Sequence, residues 1–358
     1  MNYDLQALME RWDGLGVVHR YDQPTQTWVF ICMHDNTLGP CTGGTRMKVY
    51  SKPGEGLLDG MRLAEGMTSK WAAIDVAAGG GKAVLAVEKP LEGEERRGLL
   101  LRYGRLIQSL GGGFRTGEDM GTSTEDMQVI AEAADYVHGF HPDDGSKIDP
   151  SPFTARAVFA GIRSAVAQVL EGEGLRGRTV LIQGVGSVGA NLGLFLKEAG
   201  AELLVSDIDE PRCQRVADQL EAKLVPNSEV YAAPCDVYAP CAVGATLNPE
   251  TVPQLQCRIV AGSANNQLAA PGDATRLMER GIVYVPDYII NAGGALAFSL
   301  LDQGIGDTEV LLEKMDVIGE SVTEILQEAA SKNESPVVAA QRRVDRTLAK
   351  ARNEGVGA

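Results

Sequence analysis

The sequence predicts an α/β protein of two domains, an N-terminal α/β domain followed by a doubly wound sheet of Rossmann type. Three observations carry this. The chain has 358 residues, more than one hydrophobic core usually serves. Between residues 180 and 207, an apolar run with β-branched Val180 and Ile182 meets Gly184-Val185-Gly186-Ser187-Val188-Gly189. A helical pattern on Leu192, Phe195 and Leu196 follows, then a second apolar run ending at Asp207, which reads as strand, turn, helix, strand. Beyond it, apolar runs alternate with helical or loop segments, as in a mostly parallel sheet.

In chain order, residues 4–12 read as a short helix, and Val17–Tyr21 and Thr27–Met33 as a hairpin around Asp22-Gln23-Pro24-Thr25. Residues 38–46, with three glycines and a proline, mark an exposed turn or backbone approaching a ligand. A helix over 54–69 leads to Lys70, and a short strand, Ala72–Ala78, leads to a glycine turn, Gly79-Gly80-Gly81, and Lys82. A P-loop would need Gly where Val76 stands and Ser or Thr where Ala83 stands, so an NTPase is excluded. Lys70 and Lys82 are surface lysines or, if held in a poorly hydrated glycine-walled pocket, groups with lowered pKa values suited to base catalysis. After a helix at Arg96–Leu110, the turn at 116–122 carries Asp119, which either caps the helix that follows or takes part in chemistry. Residues 138–152 are rich in turn formers, so the domain boundary is placed near Ser151, with domains 1–150 and 151–324. Residues 325–358 are expected to pack back on the first domain, and 353–358 to fray.

In the second domain, Gly184 permits a tight turn, Gly186 lets backbone approach a pyrophosphate and Gly189 allows close helix–strand packing. The N–H groups at Ser187 and Val188 begin the helix that faces the phosphates. Asp207 is placed to hydrogen-bond an adenosine ribose, and no arginine follows it before Arg212, too far along the chain to hold a 2′-phosphate, which favours NAD over NADP. Further strands are expected near 222–226, at Val237–Ala239, Cys257–Ala261 and Gly281–Val285. Ligands belong at their carboxyl ends: Ala239–Ala242, Gly262–Asn266 including Ala264 and Asn265, and 286–294 including Asn291. Helices are expected at Phe153–Glu171, at 210–221, and as one amphipathic helix at Thr308–Gln327.

A net charge of −15 speaks against nucleic acid or an anionic membrane as partner. The six cysteines show no CxxC spacing and read as reduced thiols; four histidines form no ligand pair, so no metal is expected. The N-terminus lacks the features of a signal peptide and no run of 18 apolar residues occurs, so a cytoplasmic location is expected.

Nine ordered stretches, LGPCTGGTRM (38–47), GMTSK (66–70), GGGKAV (79–84), TGEDMGT (116–122), SPFTARAV (151–158), QGVGSVG (183–189), CDVYAPCAVGATLN (235–248), AGSANNQL (261–268) and VPDYIINAGG (285–294), carry a resemblance. The chain resembles the glutamate/leucine/phenylalanine/valine dehydrogenase superfamily from about Tyr21 to Arg343, most closely its leucine, valine and phenylalanine branch. The resemblance implies an N-terminal substrate-binding and oligomerisation domain, an NAD-binding domain and an active-site cleft between them. It further implies reversible NAD-dependent oxidative deamination of an L-amino acid to its 2-oxo acid and ammonia, in a homo-oligomer. Lys70 then corresponds to the ligand of the substrate carboxylate, Lys82 to the general base and Asp119 to its partner in proton transfer. The Gly44 carbonyl would hold the substrate amino group, Thr154 and Asn291 would touch the nicotinamide, and Asn265 would lie between cofactor and substrate.

By the same resemblance Thr42, Gly117, Ala295 and Phe298 line the side-chain pocket, where leucine dehydrogenases usually carry Leu, Ala, Val and Val. Two small residues enlarge the pocket and Phe298 refills part of it. A hydrophobic substrate is expected, with leucine, valine and isoleucine slightly ahead of aromatic amino acids. A 2-hydroxy-acid dehydrogenase would need a histidine base in a setting none of the four histidines has, and a non-catalytic NAD-binding protein would not need Lys70, Lys82 and Asp119 together.

Overall fold

The structure is a computed structural model that describes residues 5–141, 146, 148–172 and 174–355. Parts of the 138–152 turn tract and of the 353–358 tail lie outside the described residues. The chain divides into two compact units, one of Met1–Ile148 with Val344–Ala358 and the other of Asp149–Arg343.

The first unit contains α1 (Leu5–Trp12), β1 (Gly16–Asp22), β2 (Thr27–Asp35), β3 (Cys41–Thr42), β4 (Thr45–Val49), α2 (Pro53–Ala73), β5 (Gly79–Val87), α3 (Gly93–Ser109), β6 (Phe114–Arg115) and α4 (Thr124–Ala131). The hairpin β1–β2 forms as its alternation predicts, with Gly16 opposite Met33. Its sheet runs β1-β2-β5-β3-β6, and β4 also pairs with β5. Strand β5 is the axis of this unit: antiparallel to β2, parallel to β3 and β4, and buried along its whole length. Period-2 alternation splits its side chains between two cores. Val84 and Ala86 pack with Met61 and Ala64 of α2, whereas Ala83 and Leu85 pack with Leu99, Tyr103 and Ile107 of α3.

Two sequence expectations fail here for one reason. No strand occupies Ala72–Ala78, because α2 continues through Ala73, and Gly79-Gly80-Gly81 open β5 instead of forming a turn. A Cβ at Gly80 would lie 2.6 Å from the Ala64 carbonyl oxygen, so the glycine is required by the close approach of helix α2. Lys82 therefore sits inside a central strand.

The second unit contains α5 (Ser151–Val169), β7 (Thr179–Gln183), α6 (Ser187–Glu198), β8 (Glu202–Ser206), α7 (Glu210–Leu220), β9 (Lys223–Leu224), β10 (Val237–Pro240), β11 (Ile259–Val260), α8 (Gly272–Glu279), β12 (Val283–Tyr284), α9 (Asp287–Ile290), α10 (Gly293–Asp302), α11 (Thr308–Lys314), α12 (Asp316–Lys332) and the part of α13 (Pro336–Glu354) that precedes Val344. Its six strands are parallel in the order β12-β11-β10-β7-β8-β9. Strand order reverses between β7 and β10, the switch point at which such sheets bind ligands.

The single helix expected at 308–327 is two, α11 and α12, joined at buried Met315. Arg156 of α5 fixes the start of α12 through Asp316 at 3.0 Å, and Ile318, Val322 and Ile325 of α12 are buried. Residues 325–343 accordingly belong to the second unit, contrary to expectation; Arg342 and Arg343 tie α13 to Glu328 and Glu324 of α12. Only the segment from Val344 belongs to the first unit, where Arg352 pairs with Asp35 at 2.8 Å. Among the described residues no helix is long and apolar enough to cross a membrane.

Candidate active site

Lys82 and Asp119 come together in the first unit. Lys82 shares the α2-facing side of β5 with Val84 and Ala86, and its Nζ lies 3.3 Å from Asp119 Oδ2. Asp119 is not a helix cap, since Ser123 and Asp126 form the capping box of α4. Its loop is held by Thr122, whose Oγ1 accepts from the Asp119 N–H and donates to the Thr45 carbonyl. Burial is the largest influence on Lys82 and pushes its pKa below that of an ordinary lysine; Asp119 opposes this and Arg46 adds to it. Burial raises the Asp119 carboxyl, but Lys82 and Arg46 outweigh it and hold the group below the usual carboxylate range.

Sequence reasoning missed Arg46. Its Nε donates to Asp119 Oδ2 at 2.8 Å and its Nη1 to Asp59 Oδ2 at 2.9 Å, while Asp59 also accepts from Tyr50 and Arg62. The cation that lowers the Lys82 pKa in the structure is Arg46. Its signal was an arginine directly after the Gly43-Gly44-Thr45 bend, but nothing in the periodicity of α2 marked Asp59 as its partner.

Lys70 lies in the last turn of α2 and is half-buried, beside Trp71, whose Nε1 donates to the Thr42 carbonyl at 3.1 Å. The Gly44 carbonyl accepts from the Ala83 N–H at 3.2 Å, so one of its two lone pairs is already engaged. A Cβ at Gly44 would lie 2.9 Å from Asp119 Cβ, which explains the glycine. Thr42 donates from its hydroxyl to the Pro40 carbonyl at 3.0 Å. At Gly117 a Cβ would have no neighbour closer than 3.7 Å, so that glycine is not enforced by packing.

In the second unit the expected cofactor residues stand at the carboxyl edge of the parallel sheet. Gly184 has a φ of +94°, and a Cβ there would lie 2.7 Å from that of Ala242, across the switch point. Gly186, Ser187 and Val188 are partly or fully exposed at the start of α6. Gly189 is buried and packs against the Gly184 carbonyl. Asn291 donates to Asn265 Oδ1 at 2.8 Å and to the Ser263 carbonyl, joining the loops after β11 and β12. Thr154, in the first turn of α5, bonds the Pro150 carbonyl and lies against Gly294. Ala264 is buried beneath the loop.

Two expectations are corrected. Ala239 lies inside β10 and is fully buried, so its side chain belongs to the core, and the chain first becomes exposed past that strand at Ala242. Arg212, read as too distant from Asp207 to matter, is brought back by the first turn of α7 and donates to Asp207 Oδ1 at 2.7 Å. Asp207 also accepts from the N–H groups of Val185 and Asp209, and these bonds outweigh burial to keep its pKa low. Among the described residues no group of three His, Cys, Asp or Glu side chains could hold a metal ion.

The fold and these clusters define a two-domain dehydrogenase. Residues 20–136 match the family model described as the Glu/Leu/Phe/Val dehydrogenase dimerisation domain, and residues 205–354 match that of glutamate/leucine/phenylalanine/valine dehydrogenase. The chain is 38% identical to a leucine dehydrogenase of Geobacillus stearothermophilus over 98% of this chain and 95% of that one. It is 37% identical to a phenylalanine dehydrogenase of Lysinibacillus sphaericus over 89% and 84%. The crystal structure of L-tryptophan dehydrogenase from Nostoc punctiforme superposes with a TM-score of 0.86 at 33% identity, covering 98% of this chain and all of that one. The chain belongs to the Glu/Leu/Phe/Val dehydrogenase family and is an amino-acid dehydrogenase, an oxidoreductase.

Proposed function

We propose that the protein catalyses reversible, NAD-dependent oxidative deamination of a hydrophobic L-amino acid to its 2-oxo acid and ammonia. The observation that carries the reading is the buried Lys82–Asp119 pair, a lysine of lowered pKa beside an ionised carboxylate. A neutral amine can take a proton from water, which an ordinary surface lysine cannot do near neutral pH.

The second unit offers what a dinucleotide requires: a glycine-walled turn at a helix N-terminus for the pyrophosphate, and Asp207 at the end of β8 for the ribose. Bound NAD⁺ supplies the hydride acceptor. Lys70 holds the substrate carboxylate, and the remaining lone pair of the Gly44 carbonyl accepts from the amino group. Loss of hydride from Cα leaves an iminium. Lys82 removes a proton from the water that attacks it, and Asp119 relays protons as the carbinolamine releases ammonia. Thr154, Asn265 and Asn291 orient the reacting ring and substrate.

Aliphatic substrates, leucine, valine and isoleucine, are placed slightly ahead of aromatic ones. The leucine dehydrogenase relative supports this through its near-complete coverage. Phenylalanine is the alternative, favoured by the open space at Gly117. A homo-oligomer is expected, in keeping with the description of the first matched domain. The test is NADH formation with a panel of L-amino acids and L-2-hydroxy acids. Turnover of hydroxy acids alone, or of nothing in the panel, would overturn the reading.

A further inference from the structure

We propose that Arg46 is a positioning residue for the reaction, clamping the Asp119 carboxylate by the oxygen it shares with Lys82 so that Oδ1 is presented to the proton in transit. The proposal rests on the assignment of Lys82 and Asp119 as the acid–base pair and adds a third member to it.

The geometry is specific. Both Arg46 Nε and Lys82 Nζ contact Oδ2 of Asp119, at 2.8 and 3.3 Å, and among the described residues no hydrogen bond reaches Oδ1. The Asp119 side chain is 23% exposed, so its carboxylate is not sealed off. The guanidinium is itself fixed, since its Nη1 is held by Asp59, which Tyr50 and Arg62 hold in turn at 2.8 Å each. A planar fork can span two carboxylates in this way, and an ammonium, a point donor, cannot do so with the same geometry.

Charge balance gives the arrangement a second effect. Facing Lys82 are Asp119 from the loop, Arg46 from β4 and Asp59 from α2; Lys70 lies further along α2, and Cys32, opposite on β2, is pushed by burial to about 12 and stays a neutral thiol. With Arg46 and Arg62 set against Asp59 and Asp119, the cluster is neutral when Lys82 is neutral and carries excess positive charge when Lys82 is protonated. Arg46 thus supplies the countercharge that Asp119 would otherwise draw from the lysine, and frees Lys82 to act as a base.

The test is kcat, KM and the pH profile of kcat/KM for the full-length enzyme and its Arg46→Met, Arg46→Lys and Lys82→Ala variants, each checked for folding by circular dichroism. Arg46→Met is expected to lower kcat about tenfold or more, with little change in amino-acid KM, and to move the acidic limb of the profile about one unit or more to higher pH. Arg46→Lys, which keeps the positive charge and protects against a folding failure of the methionine variant, is expected to leave the limb near its wild-type position without restoring kcat. Wild-type kcat in folded Arg46→Lys, or an Arg46→Met profile superimposable on wild type, overturns the role of Arg46 while an inactive Lys82→Ala leaves the acid–base pair standing. A Lys82→Ala enzyme with wild-type turnover overturns both.

Discussion

Lys82 Nζ lies 3.3 Å from Asp119 Oδ2 although the lysine belongs to the buried central strand of the first sheet and the aspartate to the loop before α4. A lysine at that depth is expensive to keep charged, which suits a base and makes it poor as a structural cation. Lys82→Ala is expected to lower kcat by about a hundredfold or more, the usual contribution of general-base catalysis. NAD⁺ affinity should be unchanged, because the dinucleotide residues belong to the other unit. Steady-state kinetics and a cofactor titration by fluorescence check this, and retention of more than about a hundredth of wild-type kcat would remove the base assignment. Lys70→Ala should instead raise chiefly the amino-acid KM, and an unchanged KM would remove its carboxylate role.

The same lysine makes a prediction about stability. Its folded pKa lies below the ordinary 10.5, so between the two values the unfolded chain holds a proton that the folded chain has released. Stability therefore rises with pH through that window, and the penalty is fully present below the folded pKa. Lys82→Met should melt above wild type at neutral pH, since Arg46 still pairs with Asp119 and the methionine leaves no buried charge. The difference should narrow as pH approaches 10.5. Melting curves of both proteins across this range decide it, and a variant less stable than wild type at every pH would contradict the burial penalty.

How much of this was legible depended on range. The unit from Val180 to Asp207 could be read because its glycine spacing, strands and helix are local, and the parallel, doubly wound sheet then follows from alternation of elements. Gly79–Gly81 misled because a glycine triplet has the same composition whether it turns the chain or admits a neighbouring helix, and only the contact with Ala64 and Thr68 distinguishes the two. Asp119 stayed open between cap and chemistry until Ser123 proved to be the cap. Arg46, Asp59 and Asp119 meet from a strand, a helix and a loop, and no periodicity within one element encodes such a meeting. Arg212 was misjudged by counting residues instead of helical turns.

That arginine bears on cofactor choice. Asp207 makes three hydrogen bonds, with Val185, Asp209 and Arg212, leaving acceptor capacity for one ribose hydroxyl. Its charge repels a 2′-phosphate, but Arg212 offsets part of that repulsion. NAD is therefore expected to be preferred to NADP, and Arg212→Ala to widen the preference by about fivefold at most, the scale of a half-exposed ion pair. Asp207→Ala should narrow it. Values of kcat/KM with both cofactors test the pair, and equal use of NAD and NADP by wild type would count against Asp207 as the discriminating group.

The substrate side chain can be tested at Gly117, where the structure separates packing from function. A Cβ there would lie 3.7 Å from the His138 carbonyl and 3.8 Å from its Cβ, ordinary van der Waals distances, and the residue has no positive φ. Gly117→Ala should therefore fold and melt like wild type, unlike substitution at Gly44, where a new Cβ would meet Glu118 backbone at 2.7 Å. If Gly117 lines the pocket, the added methyl removes space that a large side chain uses and a smaller one leaves empty. A methylene of fit is worth about 1–3 kcal/mol, so the kcat/KM ratio of phenylalanine to leucine should fall by about tenfold or more. Wild type itself is expected to rank leucine, valine and isoleucine slightly above phenylalanine and tryptophan, with glutamate last, because none of the four wall residues offers a cation for a second carboxylate. A wild-type value for phenylalanine above that for leucine would reverse the aliphatic assignment, and a ratio unmoved by Gly117→Ala would show that residue 117 does not form the wall.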